Sequence, residues 1–281
     1  MSSRRIDSAT GPRFYETPDG ARFPSVTSIL KAINKPALID WAASRERALV
    51  VQAAADLHED LPIGTRKMSR AAYVTTLETR LPRTKAHRSE LDAAGDIGSK
   101  THALIEWNLR KELGQVVGAQ PVLKDEALFA FSAYQEWRQS VHLCPIAIEQ
   151  VVWSSEWGYA GTQDLLAEVN GEPTVLDWKT GKAIYPEARL QVAAYAHALV
   201  EMGHATWPLR ALIVRLPKTV TDPGFEVLSL DADELVEAFR VFLNVLEVWK
   251  WMQPAEQPEQ GLGAPVHLRT SAEPSRLEFV F

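Results

Sequence analysis

Gly161-Thr-Gln-Asp-Leu-Leu-Ala-Glu-Val-Asn-Gly-Glu-Pro-Thr-Val-Leu-Asp-Trp-Lys179 is the stretch whose reading decides the fold. Asn170-Gly171 is a strong short-range hairpin signal, because both residues tolerate positive φ. With those two as the loop, Val169 faces Glu172, Leu166 faces Val175 and Asp164 faces Asp177. Directly opposed residues on paired strands have Cβ atoms about 4.5–5.5 Å apart. Two carboxylates at that separation repel unless something positive lies between them, and a divalent cation would serve. Lys179 is two residues past Asp177 and so shares its face. The hairpin therefore offers two carboxylates for a metal and an ammonium beside them. A solvated strand edge is the other reading of an Asp-x-Lys triplet, and a longer loop would break the register. The apolar neighbours Leu165, Leu166, Val175, Leu176 and Trp178 make the charges stand out on either reading.

Composition narrows the class. With 46% hydrophobic residues in 281, there is ample material for one elaborated domain or two small ones. No apolar run is long enough to span a bilayer, and the first residues, Met-Ser-Ser-Arg-Arg-Ile-Asp-Ser, lack the apolar stretch of a secretory signal. One cysteine, Cys144, leaves no disulfide framework and no four-cysteine zinc or iron–sulfur site. A cytoplasmic location is expected, with Cys144 as a small core residue. The net charge of −6 counts against a protein that coats nucleic acid electrostatically. It leaves room for an enzyme that engages a nucleic-acid end through a local groove.

Outward from the hairpin, the chain reads as a mixed α/β domain. Short strands are expected near Arg13–Tyr15 and Arg22–Phe23, a helix capped by Thr27, and a longer helix from Pro36 to about Leu57. A turn is expected at Leu61–Gly64. Residues 65–92 are polar and basic (Arg66, Lys67, Arg70, Arg80, Arg83, Lys85, Arg88), either a solvated face or a DNA-facing lobe. Helices are expected from Gly95 to about Glu112 and from Lys124 to about Val141. Strands follow at Ile146–Trp153, Tyr159–Val169 and Thr174–Lys179, then a helix opened by Pro186 and closed by Gly203. A strand at Ala211–Arg215, a β-like run at Phe225–Leu228 and a helix capped by Asp231 complete the order. This is an antiparallel meander followed by a crossover. From Gln253 the chain is rich in Pro, Gln, Glu and Gly, which suits a tail whose apolar tip, Leu277–Phe281, could add a strand or dock on a partner.

Three further features bear on the same face. His102 and Glu106 are four apart on one helix, either a metal-facing pair or a surface pair. Glu149 interrupts an apolar strand, and an outward-facing strand residue is favoured slightly over a third acid near the cation. Gln191 and Tyr195 are four apart on a helix apolar nearly all round, so the buried amide needs partners. It belongs either to a structural network or to a site where it orients Lys179 or reaches a phosphate.

Gly98–His102–Glu106, Gly161-Thr162-Gln163-Asp164, Asp177-Trp178-Lys179 and Gln191-x-x-x-Tyr195 follow one another in an order that resembles the PD-(D/E)XK nuclease superfamily, in its RecB-like exonuclease branch. Phe23–Leu30 and Pro36–Ala42 look like phage-encoded, CRISPR-associated-type relatives. The resemblance implies a restriction-endonuclease-like core, a mixed central sheet flanked by helices, with an N-terminal helical extension. It divides the chain into an arm and helical lobe (1–94), a nuclease core (95–252) and a Pro/Glu-rich tail (253–281). It implies that His102, Asp164 and Asp177 hold Mg²⁺ or Mn²⁺ with the Trp178 carbonyl as a further ligand. Lys179 would position or activate water, and Gln191 and Tyr195 would complete the site and contact DNA. The cysteines of the iron–sulfur members are missing, so no iron–sulfur cluster is expected. The activity implied is a metal-dependent DNA exonuclease of phage recombination or replication, with DNA ends or single strands as substrate and a possible recombination or replication partner protein. A structure-specific endonuclease, a non-catalytic DNA-end-binding protein and, were the resemblance accidental, a small-molecule metallohydrolase are the alternatives.

Overall fold

In the computed structural model the hairpin forms in the expected register. Asn170 (φ 54°) and Gly171 (φ 86°) make the loop, and Val169 pairs with Glu172 and Leu166 with Val175. The structure describes residues 4–6, 11–33, 35–59, 69–123, 125–219, 221–222 and 224–253. The expected turn at Leu61–Gly64, the basic residues Arg66 and Lys67, and the tail with its tip lie outside these residues.

The hairpin strands belong to a five-stranded sheet. Strands β4 (Leu143–Ser154), β5 (Tyr159–Val169) and β6 (Glu172–Lys179) form the antiparallel meander. Helix α6 (Glu187–Glu201) crosses over to β7 (Arg210–Arg215), which runs parallel to β6, and β8 (Glu226–Leu230) closes the order β4-β5-β6-β7-β8. Because β5, β6 and β7 are covered on both faces, their burial is nearly continuous rather than alternating.

The two faces carry separate cores. One is built from α6 and α7 (Ala232–Met252) with α1 (Val26–Ile29), packing Val26, Ile29, Val192, Leu199, Phe239 and Phe242 against the sheet. Helix α7 starts at a full capping box, Asp231 and Glu234 each bonding the other's backbone amide, and buries the stripe Leu235, Phe239, Phe242 and Leu246. The other face is covered by α4 (Ala86–Glu112) and α5 (Asp125–Gln139), whose Leu104, Ile105, Leu109, Tyr134 and Trp137 pack on Leu165, Leu176 and Trp178. Trp178 meets the rings of Tyr134 and Trp137 edge-on at 5.3 and 5.1 Å between centroids.

A small antiparallel sheet, β1 (Arg4–Ile6), β2 (Phe14–Glu16) and β3 (Arg22–Pro24), forms an arm ahead of α1. The arm docks on β5. Ser25 makes a backbone bridge to Ala160, and the Tyr15 hydroxyl lies 3.0 Å from Thr162 Oγ1. Helices α2 (Pro36–Glu59) and α3 (Arg70–Arg80) follow it.

Three expectations are corrected. The cap of α1 is Ser25, whose hydroxyl accepts from the Ser28 amide at 3.0 Å, not Thr27. Helix α4 begins at Ala86, not Gly95, so the expected boundary after residue 94 falls inside a continuous helix. Its first half, Ala86–Ser99, lacks the apolar periodicity that would have announced it. Cys144 is exposed rather than buried, because it lies on β4, an edge strand. Arg70, Arg80, Arg83, Lys85 and Arg88 are all exposed. Among the described residues no helix is long and apolar enough to cross a membrane.

Candidate active site

The site opens where β5 and β6 part. Their ladder ends at the pair Leu165–Leu176, one step short of the two aspartates. Asp164 instead turns its carboxylate onto the next amide, accepting from Trp178 N at 2.8 Å. The freed end of the sheet is thus held by a charged side chain.

Asp177 and Lys179 point toward α6, as their spacing requires. Lys179 Nζ lies 2.6 Å from Asp177 Oδ2 and donates to Gln191 Oε1 at 3.0 Å. The same amide donates from Nε2 to Asp177 Oδ1 at 2.9 Å and to the Tyr195 hydroxyl at 3.2 Å. The amide orientation is forced, since an ammonium can only donate and a carboxylate only accepts. Gln191 therefore bridges Lys179 and Asp177 and holds them together. Asp177 is fully buried, with its Oδ2 facing the Lys179 ammonium. Burial pushes its carboxyl up to about 6, and the Asp164 charge adds to this while Lys179 and His102 oppose it.

From the opposite face of the sheet α4 brings His102 to the same gap. Its Nε2 lies 3.1 Å from the Trp178 carbonyl, and its Nδ1 3.6 Å from Asp164 Oδ2. A proton on Nε2 donated to that carbonyl leaves the Nδ1 lone pair facing the carboxylates, the neutral form that binds metals. Close approach of α4 rests on Gly98. A Cβ there would stand 2.9 Å from Thr180 Oγ1, immediately after Lys179.

Glu149 corrects the sequence reading. Strand alternation would turn it outward, yet its backbone is left-handed (φ 48°) and its carboxylate joins His102 and Asp164. Ligand atoms of these three residues all lie within 4.8 Å of one another. Positive φ costs a non-glycine residue on the order of 1–3 kcal/mol, and such positions cluster at functional sites. Burial and then the Asp164 charge raise the Glu149 carboxyl to about 8, with Glu106 and Asp177 adding and Arg110 opposing. Repulsion between two partly buried acids, with a histidine nitrogen beside them, is the environment a divalent cation fits. Glu106 lines the same cavity but is held by Arg110, Nε to Oε1 at 2.7 Å.

Gly161 sets a second close approach. A Cβ on it would lie 2.5 Å from Tyr195 Cε1, a buried ring with no room to retreat. Gly161→Ala should destabilise the fold by about 1–3 kcal/mol and loosen the Tyr195–Gln191–Lys179 chain. Denaturant melts paired with an activity assay check this, and an unchanged midpoint would show that the ring yields freely.

A cavity of about 420 Å³ opens onto the three metal-capable residues. Its far wall is the arm, with Arg5, Arg13 and Tyr15, and Thr27 at the start of α1. Sequence reasoning singled out none of these four side chains for the site. The family model described as the PD-(D/E)XK nuclease superfamily matches residues 69–260, well over half the chain. The chain belongs to that superfamily.

As a PD-(D/E)XK nuclease it carries the expected mixed sheet with the acidic groups and lysine at the open end of one hairpin. The expected set His102, Asp164, Asp177, Lys179, Gln191 and Tyr195 converges there. Asp177 stands with Lys179 rather than within the trio, and the Trp178 carbonyl faces His102. A comparison of the nuclease with curated proteins finds no match. Among solved structures, one named "Putative exonuclease", from Eubacterium rectale, aligns at 14% identity over 70% of this chain and 83% of its own, with a TM-score of 0.40. A second, named SSO0001, aligns at 11% identity over 57% of this chain and 76% of its own, with a TM-score of 0.26.

Proposed function

We propose that this nuclease is a metal-dependent DNA exonuclease of the RecB-like branch, acting in recombination or replication, phage recombination or replication above all. One observation carries the reading: His102, Glu149 and Asp164 gather metal-capable atoms within 4.8 Å of one another beside the locked Asp177–Lys179–Gln191 array. His102, Glu149 and Asp164 would hold Mg²⁺ or Mn²⁺, with Asp177 as the neighbouring oxygen donor and the Trp178 carbonyl fixing the imidazole from its other nitrogen. Such an ion acidifies a bound water and neutralises charge on the phosphoryl oxygens. Histidine among the donors favours Mn²⁺, and carboxylates suit either ion.

The chain's own groups do the positioning. Lys179, fixed by Gln191, presents its ammonium where a phosphodiester oxygen gains charge, or orients the attacking water by a hydrogen bond. Preorganised donors of this kind cost no rearrangement at the moment of reaction. Tyr195 keeps its proton, because burial raises its hydroxyl well above the ordinary range and the Asp177 charge adds to this. It therefore serves as a fixed dipole that holds the Gln191 amide.

The deciding test is end-labelled linear DNA, single- and double-stranded, with Mn²⁺, run beside closed circular DNA. An exonuclease shortens the linear strands and leaves the circle intact, and cutting of the circle would replace this reading with an endonuclease. EDTA should abolish cleavage, and Mn²⁺ or Mg²⁺ in excess should restore it. Either ion should also raise Tm, by about 2.7 kcal/mol of added stability at a hundredfold excess over Kd. Activity that persists in EDTA would overturn the metal assignment.

A further inference from the structure

A second cavity, of about 320 Å³, adjoins the first, and Thr27 and Gln191 line both. Lys179 opens onto this second space. Its floor is apolar, with Leu30, Ala183 and Ala188, and its rim carries Lys31 and the half-exposed ring of Tyr185. The Tyr185 loop follows directly on Lys179, so whatever fills the cavity sits beside the locked ammonium. Lys35 also borders it, but is paired with Glu187. An apolar recess with one aromatic ring and cations at its mouth suits a flat, uncharged ring joined to a phosphate.

We propose that this cavity is a single-stranded nucleotide subsite, in which Tyr185 stacks on the base next to the cleaved phosphodiester and Lys31 meets its phosphate. It rests on the nuclease reading of the adjoining site. A base inside a duplex has both faces covered by its neighbours, so only an unpaired or splayed base can offer a face to Tyr185. The subsite thus selects single strands, or ends that fray, over blunt paired ends. Tyr185 and Lys31 are positioning residues, with no role at the reacting atoms.

The test uses the full chain and a fluorescein-labelled oligothymidylate. Affinity is read by anisotropy with Ca²⁺ in place of the active ion, and kcat and KM are then read with Mn²⁺. Tyr185→Ala should weaken binding about 10-fold or more and raise KM with kcat little changed, and Tyr185→Phe should restore both, since stacking needs the ring and not the hydroxyl. Lys31→Ala should lower the slope of log affinity against log salt by about 0.7. With more than half of Tyr185 in solvent, neither variant there should disturb folding. If Tyr185→Ala binds and cleaves as the unaltered chain does, the subsite is overturned. Weakened binding by Tyr185→Ala in a protein that never cleaves upholds the subsite and overturns only the hydrolytic reading.

Discussion

Lys179→Ala should cleave DNA about 100- to 10,000-fold more slowly than the unaltered chain, the range of losses when a positioned charge or proton donor is removed from a hydrolytic site. The effect is large because Lys179 is fixed on two sides, at 2.6 Å from Asp177 Oδ2 and 3.0 Å from Gln191 Oε1, and among the described residues no other ammonium is held by that pair. The substitution also strips Asp177 of its counter-charge in a fully buried position. An uncompensated buried carboxylate is costly, so some stability should go with the activity. Lys179 is partly solvated, which reduces that cost to about 1–2 kcal/mol. The two losses separate by a second change. Adding Asp177→Asn to Lys179→Ala removes the buried charge and should recover stability with no recovery of cleavage. Single-turnover rates and urea melts on the three proteins measure this, and full activity in Lys179→Ala would take the ammonium out of the mechanism.

Glu149→Gln should lose activity by at least about 100-fold and yet melt higher than the unaltered chain when no metal is present. The carboxyl of Glu149 is raised to about 8 in the fold from an ordinary 4.5, by burial first and by Asp164 second. The folded state therefore keeps a proton that the unfolded chain releases. Its contribution is fully present below about pH 4.5 and is lost as pH rises through about 8, so metal-free stability falls across that window. Asp177, raised to about 6, acts in the same direction over a lower range. One tenfold change in proton affinity is about 1.4 kcal/mol. An ionised Glu149 thus withholds on the order of 2–4 kcal/mol at pH 8.5, or roughly 5–10 °C of Tm for a chain of this size. A glutamine amide can donate to Asp164 instead of repelling it. Thermal melts from pH 5 to 8.5, with and without Mn²⁺, test the account. Mn²⁺ should raise Tm in the unaltered chain and hardly at all in the variant. Equal melting of the two metal-free proteins at pH 8.5 would mean that Glu149 is not a strained member of the trio.

The hairpin was legible because its information is local. Asn170-Gly171 sets the loop, the loop sets the register, and the period of two then assigns Asp164, Asp177 and Lys179 to their faces. Gln191 was legible for the opposite reason, as a polar side chain in a helix too apolar to be solvated. Glu149 was not, because alternation assumes extended backbone and a single left-handed residue re-aims the side chain without leaving a mark in the pattern. Helix α4 hid its first half because Ala86–Ser99 faces mostly solvent, and hydrophobic periodicity reports burial rather than helicity. Arg5, Arg13 and Tyr185 were silent because their positions depend on how the arm and one loop dock, which no spacing along the chain encodes.

Helix α4 runs without a break for 27 residues, about 40 Å at 1.5 Å per residue. Its buried C-terminal half is bolted to the sheet through Leu104, Ile105 and Leu109. His102 sits near that fulcrum, and the basic outer end near Arg88 lies about 20 Å away along the same rod. That outer end is itself tied to α2, His87 to Glu46 at 2.7 Å and Arg45 to Glu90 at 3.1 Å, so one rod joins α2 to the imidazole. Were the helical lobe to be pulled, a single rigid element would carry the force to His102.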